Sequence, residues 1–529
     1  MPPGTSISIP WSTYREVPDY LNLSAEVLDR QIQRGLGPRS ALVSEEGSVS
    51  YETLSDWTNR LASSLDSLGV SRGDLALICM PNSPEFAVSF LALAKLGAVP
   101  VLVNSLLAAE ELKPVLDQAR PTVVITESSR AAAIREVRPV SSLKTIISAR
   151  GTKNNEIAFE SLVAKQKADV PTADTRSDDP AFIVYTSGTT GKPKGIVHAH
   201  RWIVALGDLN RLRLATLEND VVMATGEWSF ISALGHNLLF PLRNGVTGAI
   251  LNERATAENV LAAVATRRVT VLYSVATVYR RLLAMPGFEK RVDLGSLRCA
   301  HSTGEALREV TYHEWKSRVG CELYEHYGVS EYQLVIGHGP QYPVKPGSVG
   351  KPLPGVEVGI LDDDCKSLPV GELGQLAIST EDPGLFLGYY KDRERTEAAM
   401  RSGWYFTGDL AYQDEDGYFF IAGRRDDCFK SRGMFISPAE IENALQRHPA
   451  ILEAAVVAQP DPEIGNRIRA VLVLRESQTV SDHLAQSLKD SLRSQVAPFK
   501  VPHSIEFVDR LPKNAVGKIV RSALTRQSK

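Results

Sequence analysis

The sequence predicts an α/β protein: a large N-terminal domain of βαβ-built sheets with a β-rich subdomain, followed by a small α+β domain. Three observations predict it. From Leu75 onward, short apolar runs alternate with helix-length patterns. After about residue 350 the texture changes to short β-like runs between Gly, Pro and Asp turns, and the last hundred or so residues carry helices and strands of their own. At 529 residues the chain is also too long for one ordinary core, since domains run to roughly 100–200 residues.

The elements follow in order. LALICM, from Leu75, reads as a strand, and SPEFAVSFLALAKLGA behind it as a helix with Ser83 as its N-cap. VPVLVN is again strand-like, AAEELKPVLDQA helical and TVVITE a strand, a rhythm that builds parallel βαβ units. It recurs in VVMAT, GAIL, ENVLAAVATRRV and TVLYSV. KPLPGVEVGILDDDCKSLPVGELGQLAIST reads as antiparallel β. Beyond the charged GRRDD stretch (423–427), a hinge candidate, SPAEIENALQRH predicts a helix with Ser437 as N-cap and Pro438 at its first position. AILEAAVVA and RIRAVLVL predict strands, and SDHLAQSLKDSLRSQV a helix.

Composition narrows the function. With 59 basic and 62 acidic residues the net charge is −3, which gives no reason to expect a nucleic-acid or anionic-membrane partner. Five scattered cysteines without CxxC spacing predict free thiols in a reducing compartment rather than disulfides or a zinc site. Neither a signal peptide nor an apolar run near the roughly 18–20 residues of a membrane span is evident. A cytoplasmic protein is expected.

The most informative stretch is Tyr185–His200, YTSGTTGKPKGIVHAH, directly behind the apolar run AFIVY. Glycines let successive backbone N–H groups turn inward on an anion, small hydroxyls add donors, and lysines neutralise phosphate charge. A Walker A loop would need glycine at position 186 and Ser or Thr at 193, where this chain has Thr186 and Pro193. The phosphate reading stands; the P-loop NTPase reading does not.

TSGTTGKPKG resembles the signature of the adenylate-forming superfamily, which includes acyl-CoA synthetases, luciferases and peptide-synthetase adenylation domains. EHYGVSE (325–331) resembles the family's Tyr-Gly-x-Thr-Glu element, with Ser330 keeping the hydroxyl. GWYFTGDL supplies an aspartate at Asp409, IAGRRDD an arginine at Arg424, and LPKNAVGKIVR a terminal lysine at Lys518. The motifs run from about residue 40 to the end.

The resemblance implies a two-step reaction with ATP and Mg²⁺. A carboxylic acid attacks the α-phosphate of ATP, giving acyl-AMP and pyrophosphate; coenzyme A then displaces AMP. It implies that Thr186, Ser187, Gly188, Thr189, Thr190, Gly191, Lys192, Pro193 and Lys194 clasp the β- and γ-phosphates, and that Glu331 holds Mg²⁺ with Thr186 beside it. The turn of Gly304, Glu305 and Ala306, together with Glu325, His326, Tyr327, Gly328, Val329 and Ser330, would form the nucleotide site, with Tyr327 against the adenine. Asp409 and Arg424 would hold the ribose. The small domain, residues 426–529 against a large domain of 1–425, would be mobile, pivoting at Asp426. It would bring Lys518 to the carboxylate for the first step and swing away for the second, with Gly433 lining the thiol tunnel.

In the family the acid pocket lies in the large domain. The matching segments offer Trp228, Phe230, His236, Tyr273, Ser302 and Thr303, with no cation aimed at a second carboxylate. SVATVYRRLL, STGEAL and FKSRGMFISPAEIE look most like benzoate-type and medium-chain acyl-CoA ligases. An aromatic, cyclic or short-to-medium-chain monocarboxylic acid is expected, acting in a monomer or homodimer. The sequence ends without a carrier-protein domain, which argues against a multidomain peptide synthetase. Two alternatives stand beside the ligase: a free-standing adenylation enzyme that loads a carrier protein, and an inactive acyl- or nucleotide-binding protein.

Overall fold

A computed structural model of the chain describes residues 16–137, 142–153, 155–164, 170–187, 193–213, 216–475, 480–513 and 519–526. The chain divides into two compact units. The first is Met1–Val358 with Ser379–Tyr405; the second is Gly359–Ile378 with Phe406–Lys529.

The first unit holds an eight-stranded and a nine-stranded sheet. In the eight-stranded sheet Leu75–Cys79 lies between Val99–Leu102 and Val123–Glu127, all parallel, as the βαβ pattern predicts. Pro180–Ser187 joins parallel to Val99–Leu102, then turns back antiparallel as Pro193–Ala199. The two-residue strand Gly388–Tyr389 forms the sheet's edge, antiparallel to Pro193–Ala199. The helix Pro84–Lys95 begins where expected: Ser83 Oγ accepts from the amide of Phe86 at 3.1 Å. Phe86 through Lys95 are all buried, as a helix apolar on every side requires.

The nine-stranded sheet has a parallel centre in which Val221–Ala224, Val271–Ser274, Cys299–Thr303 and Glu322–Tyr327 are successive neighbours. Met223, Leu272, Ala300 and Leu323 from these strands pack with Tyr279 and Trp315 into one apolar core. The carboxyl ends of Cys299–Thr303 and Glu322–Tyr327 lie side by side, with Thr303 opposite His326. Open α/β sheets bind ligands beyond these ends.

In the second unit residues 409–413, the end of the strand Trp404–Gln413, pair antiparallel with Phe419–Arg424. A hairpin, Phe429–Ser431 with Met434–Ile436, turns through Arg432 and Gly433, both at positive φ (52° and 75°). Two long antiparallel strands, Ile451–Asp461 and Gly465–Leu474, carry Ser504–Phe507 parallel to the second. The helices Pro438–Gln446 and Asp482–Arg493 cover a core of Ile441, Leu445, Val456, Leu472 and Leu488. Ser437 is the N-cap of its helix by position, but its hydroxyl donates to the Ala422 carbonyl instead of capping. That bond ties residue 437 to the Phe419–Arg424 strand. Among the described residues no helix is long and apolar enough to cross a membrane.

Candidate functional site

The polar loop sits where a sheet reverses direction. Residues 188–192 lie outside the described residues, but both strands that carry them are defined, with Ser187 opposite Pro193 and Thr186 opposite Lys194. From that register Lys194 places its Nζ 2.6 Å from Oε1 of Glu331, and the Tyr389 hydroxyl donates to the same oxygen at 2.7 Å. The Lys194 ammonium also lies 5.1 Å from the centre of the Tyr389 ring. The Glu331 side chain is only 5% exposed. Burial pushes its pKa up, but attraction and a hydrogen bond from Lys194, with the Tyr389 hydroxyl, outweigh this and hold it below the usual carboxylate range. Next to Glu331, Ser330 gives its carbonyl to Nε2 of His198 at 3.0 Å; burial lowers that imidazole to about 4, so it donates as a neutral ring.

This donor set fits a hard divalent cation. It offers an ionised carboxylate and the Thr186 hydroxyl, whose Oγ1 is buried without a hydrogen-bond partner among the described residues. The described residues hold no group of three or more His, Cys, Asp or Glu that could enclose a metal. Glu331 would hold the ion together with water and phosphate oxygens.

The expected adenine elements meet at the strand ends. Gly304 (φ 84°) opens a turn after Cys299–Thr303. Glu305 Oε2 accepts from the amide (3.0 Å) and hydroxyl (2.7 Å) of Thr277, while Glu325 Oε1 accepts from the Leu307 amide at 2.8 Å. Ala306 is exposed, and Tyr327, Gly328, Val329 and Ser330 are half-buried. Gly328 has no substitute, because a Cβ there would lie 1.6 Å from the Gln333 carbonyl oxygen. Gln333 itself has φ 117°, a strained value for a side-chain-bearing residue, of a kind that clusters at functional sites.

The expected acid-pocket residues lie in the same unit. Tyr273 is sandwiched between His236 (4.0 Å between ring centres) and His301 (4.4 Å). The Gln333 amide reaches Nε2 of His236 at 2.7 Å, and His301 Nδ1 is 2.7 Å from His326 Nε2. Burial lowers His236 to about 3 and His301 well below the usual histidine value, so the stack is neutral. Ser302 is fully buried and its hydroxyl lacks a partner among the described residues. Phe230 and Thr303 are half-buried. Trp228 is fully buried against Phe86, its indole N–H bound to Asn237, and so it is core rather than an open wall.

In the second unit Asp409 and Arg424 are cross-strand partners, with Nη1 3.4 Å from each carboxylate oxygen. Asp426 is exposed in a short turn, Arg425–Asp427, and Gly433 is exposed at its hairpin tip. Lys518 lies outside the described residues.

Sequence reasoning missed Tyr389, Gln333 and Thr277. Tyr389 stands 58 positions beyond Glu331 in GLFLGYYKD, and only the edge-strand pairing of Tyr389 with Ile196 brings it to the carboxylate. No local pattern marks it. The strain at Gln333 is likewise a product of packing.

Comparison with known proteins places the chain in a family. Over 499 residues the chain is 35% identical to the uncharacterized acyl–CoA ligase YtcI of Bacillus subtilis (strain 168), covering 93% of each. It is 33% identical over 513 residues to the benzoate–CoA ligase of Thauera aromatica, covering 96% of each. The fold matches the crystal structure of the anthranilate CoA ligase AuaEII in complex with anthranoyl-AMP with a TM-score of 0.90, at 31% identity over 98% of this chain and 99% of that one. The expected fold class and the resemblance to benzoate-type ligases are thus borne out. The family model for AMP-binding enzymes matches residues 28–390 and that for their C-terminal domain residues 440–518: this chain belongs to the AMP-binding enzyme family.

Proposed function

We propose that the protein is an AMP-forming acid–CoA ligase acting on an aromatic monocarboxylic acid. A carboxylate oxygen attacks the α-phosphorus of ATP, the bond to the bridging β-phosphate oxygen breaks, and pyrophosphate leaves. The thiol sulfur of coenzyme A then attacks the acyl carbon, its proton passes to solvent, and AMP leaves.

One observation carries the reading: the Lys194–Glu331–Tyr389 cluster, built on a buried carboxylate beside the two strands that flank the Gly- and hydroxyl-rich stretch. Two anions must meet in the first step, so a site that gathers fixed charge and hydroxyl donors beside the phosphates lowers its barrier. Lys194 and Thr186 face the triphosphate, and Glu331 accepts the cation that accompanies it. When bound, Mg²⁺ would neutralise phosphate charge. On the family resemblance Asp409 and Arg424 hold the ribose, and Lys518 meets the reacting carboxylate. The same resemblance makes 1–425 and 426–529 the moving parts, with Asp426 as pivot and Gly433 at the thiol's path.

The neutral aromatic stack of His236, Tyr273 and His301 supports an uncharged aromatic ring on the acid. Arg298, near this stack, is already bound to Asp220 and is not offered to a second carboxylate. Relatives named for benzoate and anthranilate support the same class. Five free thiols suit the reducing cytoplasm.

The test is acid-dependent pyrophosphate release with ATP, Mg²⁺ and a panel of benzoates, cyclic acids and fatty acids, with and without CoA, products weighed by mass spectrometry. The reading expects release with benzoates and an acyl-CoA mass. Adenylate that transfers only to a carrier protein would replace CoA as acceptor. No release from any acid would leave a nucleotide-binding protein.

A further inference from the structure

The eight-stranded sheet carries a crevice of its own. From Leu75–Cys79 the chain passes to Val99–Leu102 on one side, then crosses to Val123–Glu127 on the other and continues outward to Thr145–Ala149. The connections that leave Leu75–Cys79 and Val123–Glu127 therefore run in opposite directions. In open parallel sheets such a switch point opens a crevice for ligands beyond the carboxyl ends of the two strands. A cavity of about 170 Å³ lies there. It is lined by residues 80–83, by Glu127, Ala149 and Arg150, and by Asn252 from just beyond the strand Thr247–Ala249 of the other sheet. None of the residues assigned to the nucleotide or the acid is among them.

Most of its polar groups are already spent within the protein. Asn82 Oδ1 accepts from the Trp228 amide at 2.7 Å, and its Nδ2 donates to the Gly226 carbonyl at 2.9 Å. Ser83 caps its own helix. Arg150 is shared between Glu46 (3.0 Å) and Glu85 (3.4 Å). Two acceptors remain. Oδ1 of Asn252 is buried without a hydrogen-bond partner among the described residues, a state that native interiors rarely leave unanswered. The half-buried Glu127 carboxylate is likewise neither hydrogen-bonded nor ion-paired among the described residues. Negative charge also exceeds positive here: burial pulls the Arg150 guanidinium down, yet Glu85, Glu46 and Glu127 together hold it above its usual range. The cavity therefore lacks a positively charged donor, while Met80, Pro81 and Ala149 offer apolar wall to a short chain. Its volume is below the roughly 300–1,000 Å³ of pockets for drug-sized ligands, so the occupant must be small.

We propose that this cavity is a second ligand site, which takes a small aliphatic amine in its protonated form, the ammonium donating to the Glu127 carboxylate and to Oδ1 of Asn252. The site is built from the first unit alone and stands whichever acid the ligase activates.

The experiment follows thermal melting of the full chain near pH 7 in n-propylammonium chloride, with n-propanol and potassium chloride at matched concentrations, in the wild type, Glu127→Gln and Asn252→Leu. The amine should raise the wild-type Tm in a saturable way, and the alcohol and the salt should not. Glu127→Gln should weaken the apparent amine affinity about tenfold, because a hydrogen bond to an ionised partner is lost. Asn252→Leu replaces an unsatisfied acceptor by an apolar group of similar size, so without amine it should melt above the wild type, and its response to the amine should shrink. A destabilised but folded Asn252→Leu with an undiminished amine response overturns the proposal, as does an unchanged response in Glu127→Gln. An equal shift with potassium chloride or n-propanol overturns it in favour of an inorganic cation or a purely apolar cavity. No shift with the amine means that the cavity holds water only. Should either variant fail to fold, the wild-type comparison of amine, alcohol and salt still decides.

Discussion

Lys194 and Glu331, 137 residues apart in sequence, form an ion pair at 2.6 Å in the first unit, its carboxylate buried and its ammonium partly exposed. A buried carboxylate without a counter-charge is costly, and here the ammonium supplies it from the strand that leaves the polar loop. The Lys194 ammonium holds the Glu331 carboxylate ionised, the form that would accept a divalent cation.

Replacing Glu331 by Gln should remove the cation's anionic ligand while keeping a side chain of the same shape. The Mg²⁺ concentration for half-maximal pyrophosphate release should rise at least about tenfold, with turnover falling about a hundredfold. A Mg²⁺ titration that superposes on the wild type would move the metal elsewhere.

Tyr389→Phe deletes only the hydroxyl that reaches Glu331 Oε1. Groups that orient a ligand in this way are worth about 10–100-fold in metal affinity or activity. The variant should melt within a few degrees of the wild type yet show that loss in a Mn²⁺- or Mg²⁺-dependence assay. Equal metal dependence would make Tyr389 a packing residue.

Lys518 is assigned to the first half-reaction on the family resemblance. Lys518→Ala should lose acid-dependent pyrophosphate release by about a thousandfold or more, while thioester formation from a supplied acyl-adenylate and CoA persists. Loss of both half-reactions together would remove the alternating role.

The sequence indicated these sites unevenly. Ser83 and the alternating runs around it encode a helix start and parallel strands through local chemistry, and the structure has both. The polar loop was legible because hydroxyls, glycines and lysines crowd into ten residues, and Glu331 because it closes a motif. Tyr389 was not legible, since its contact depends on a two-residue strand docking at a sheet edge. Ser437 shows the limit from the other side: its place before Pro438 marks an N-cap, but the nearby Ala422 carbonyl, fixed by tertiary packing, takes the hydroxyl. Trp228 looks like a pocket wall in sequence, yet the Asn237 side chain satisfies its indole and buries it.

Stability should fall on mild acidification. His198, His200, His236 and His301 are lowered by burial to about 4, 4 and 3 and, for His301, well below the ordinary value, so the folded state leaves them neutral. The unfolded chain protonates them near 6.5; their contribution is complete above that pH and is lost progressively as pH falls towards the folded values. Glu325 and Glu442, both raised by burial, work in the opposite sense and offset part of this loss. Unfolding free energy from urea titrations should drop between pH 6 and 5. A flat response across that window would mean that these imidazoles already ionise in the folded protein.

One two-residue strand of the first unit has a consequence for dissecting the chain. Gly388–Tyr389 covers the outer side of Pro193–Ala199, so this strand owes its place as an interior member of the sheet to residues almost two hundred positions later. A fragment stopped short of Gly388 would present bare backbone donors and acceptors along the strand that issues from the phosphate loop, an invitation to pair with another molecule. Solubility of shortened chains should therefore change abruptly at that point, and with it the chance of studying nucleotide binding apart from the second unit.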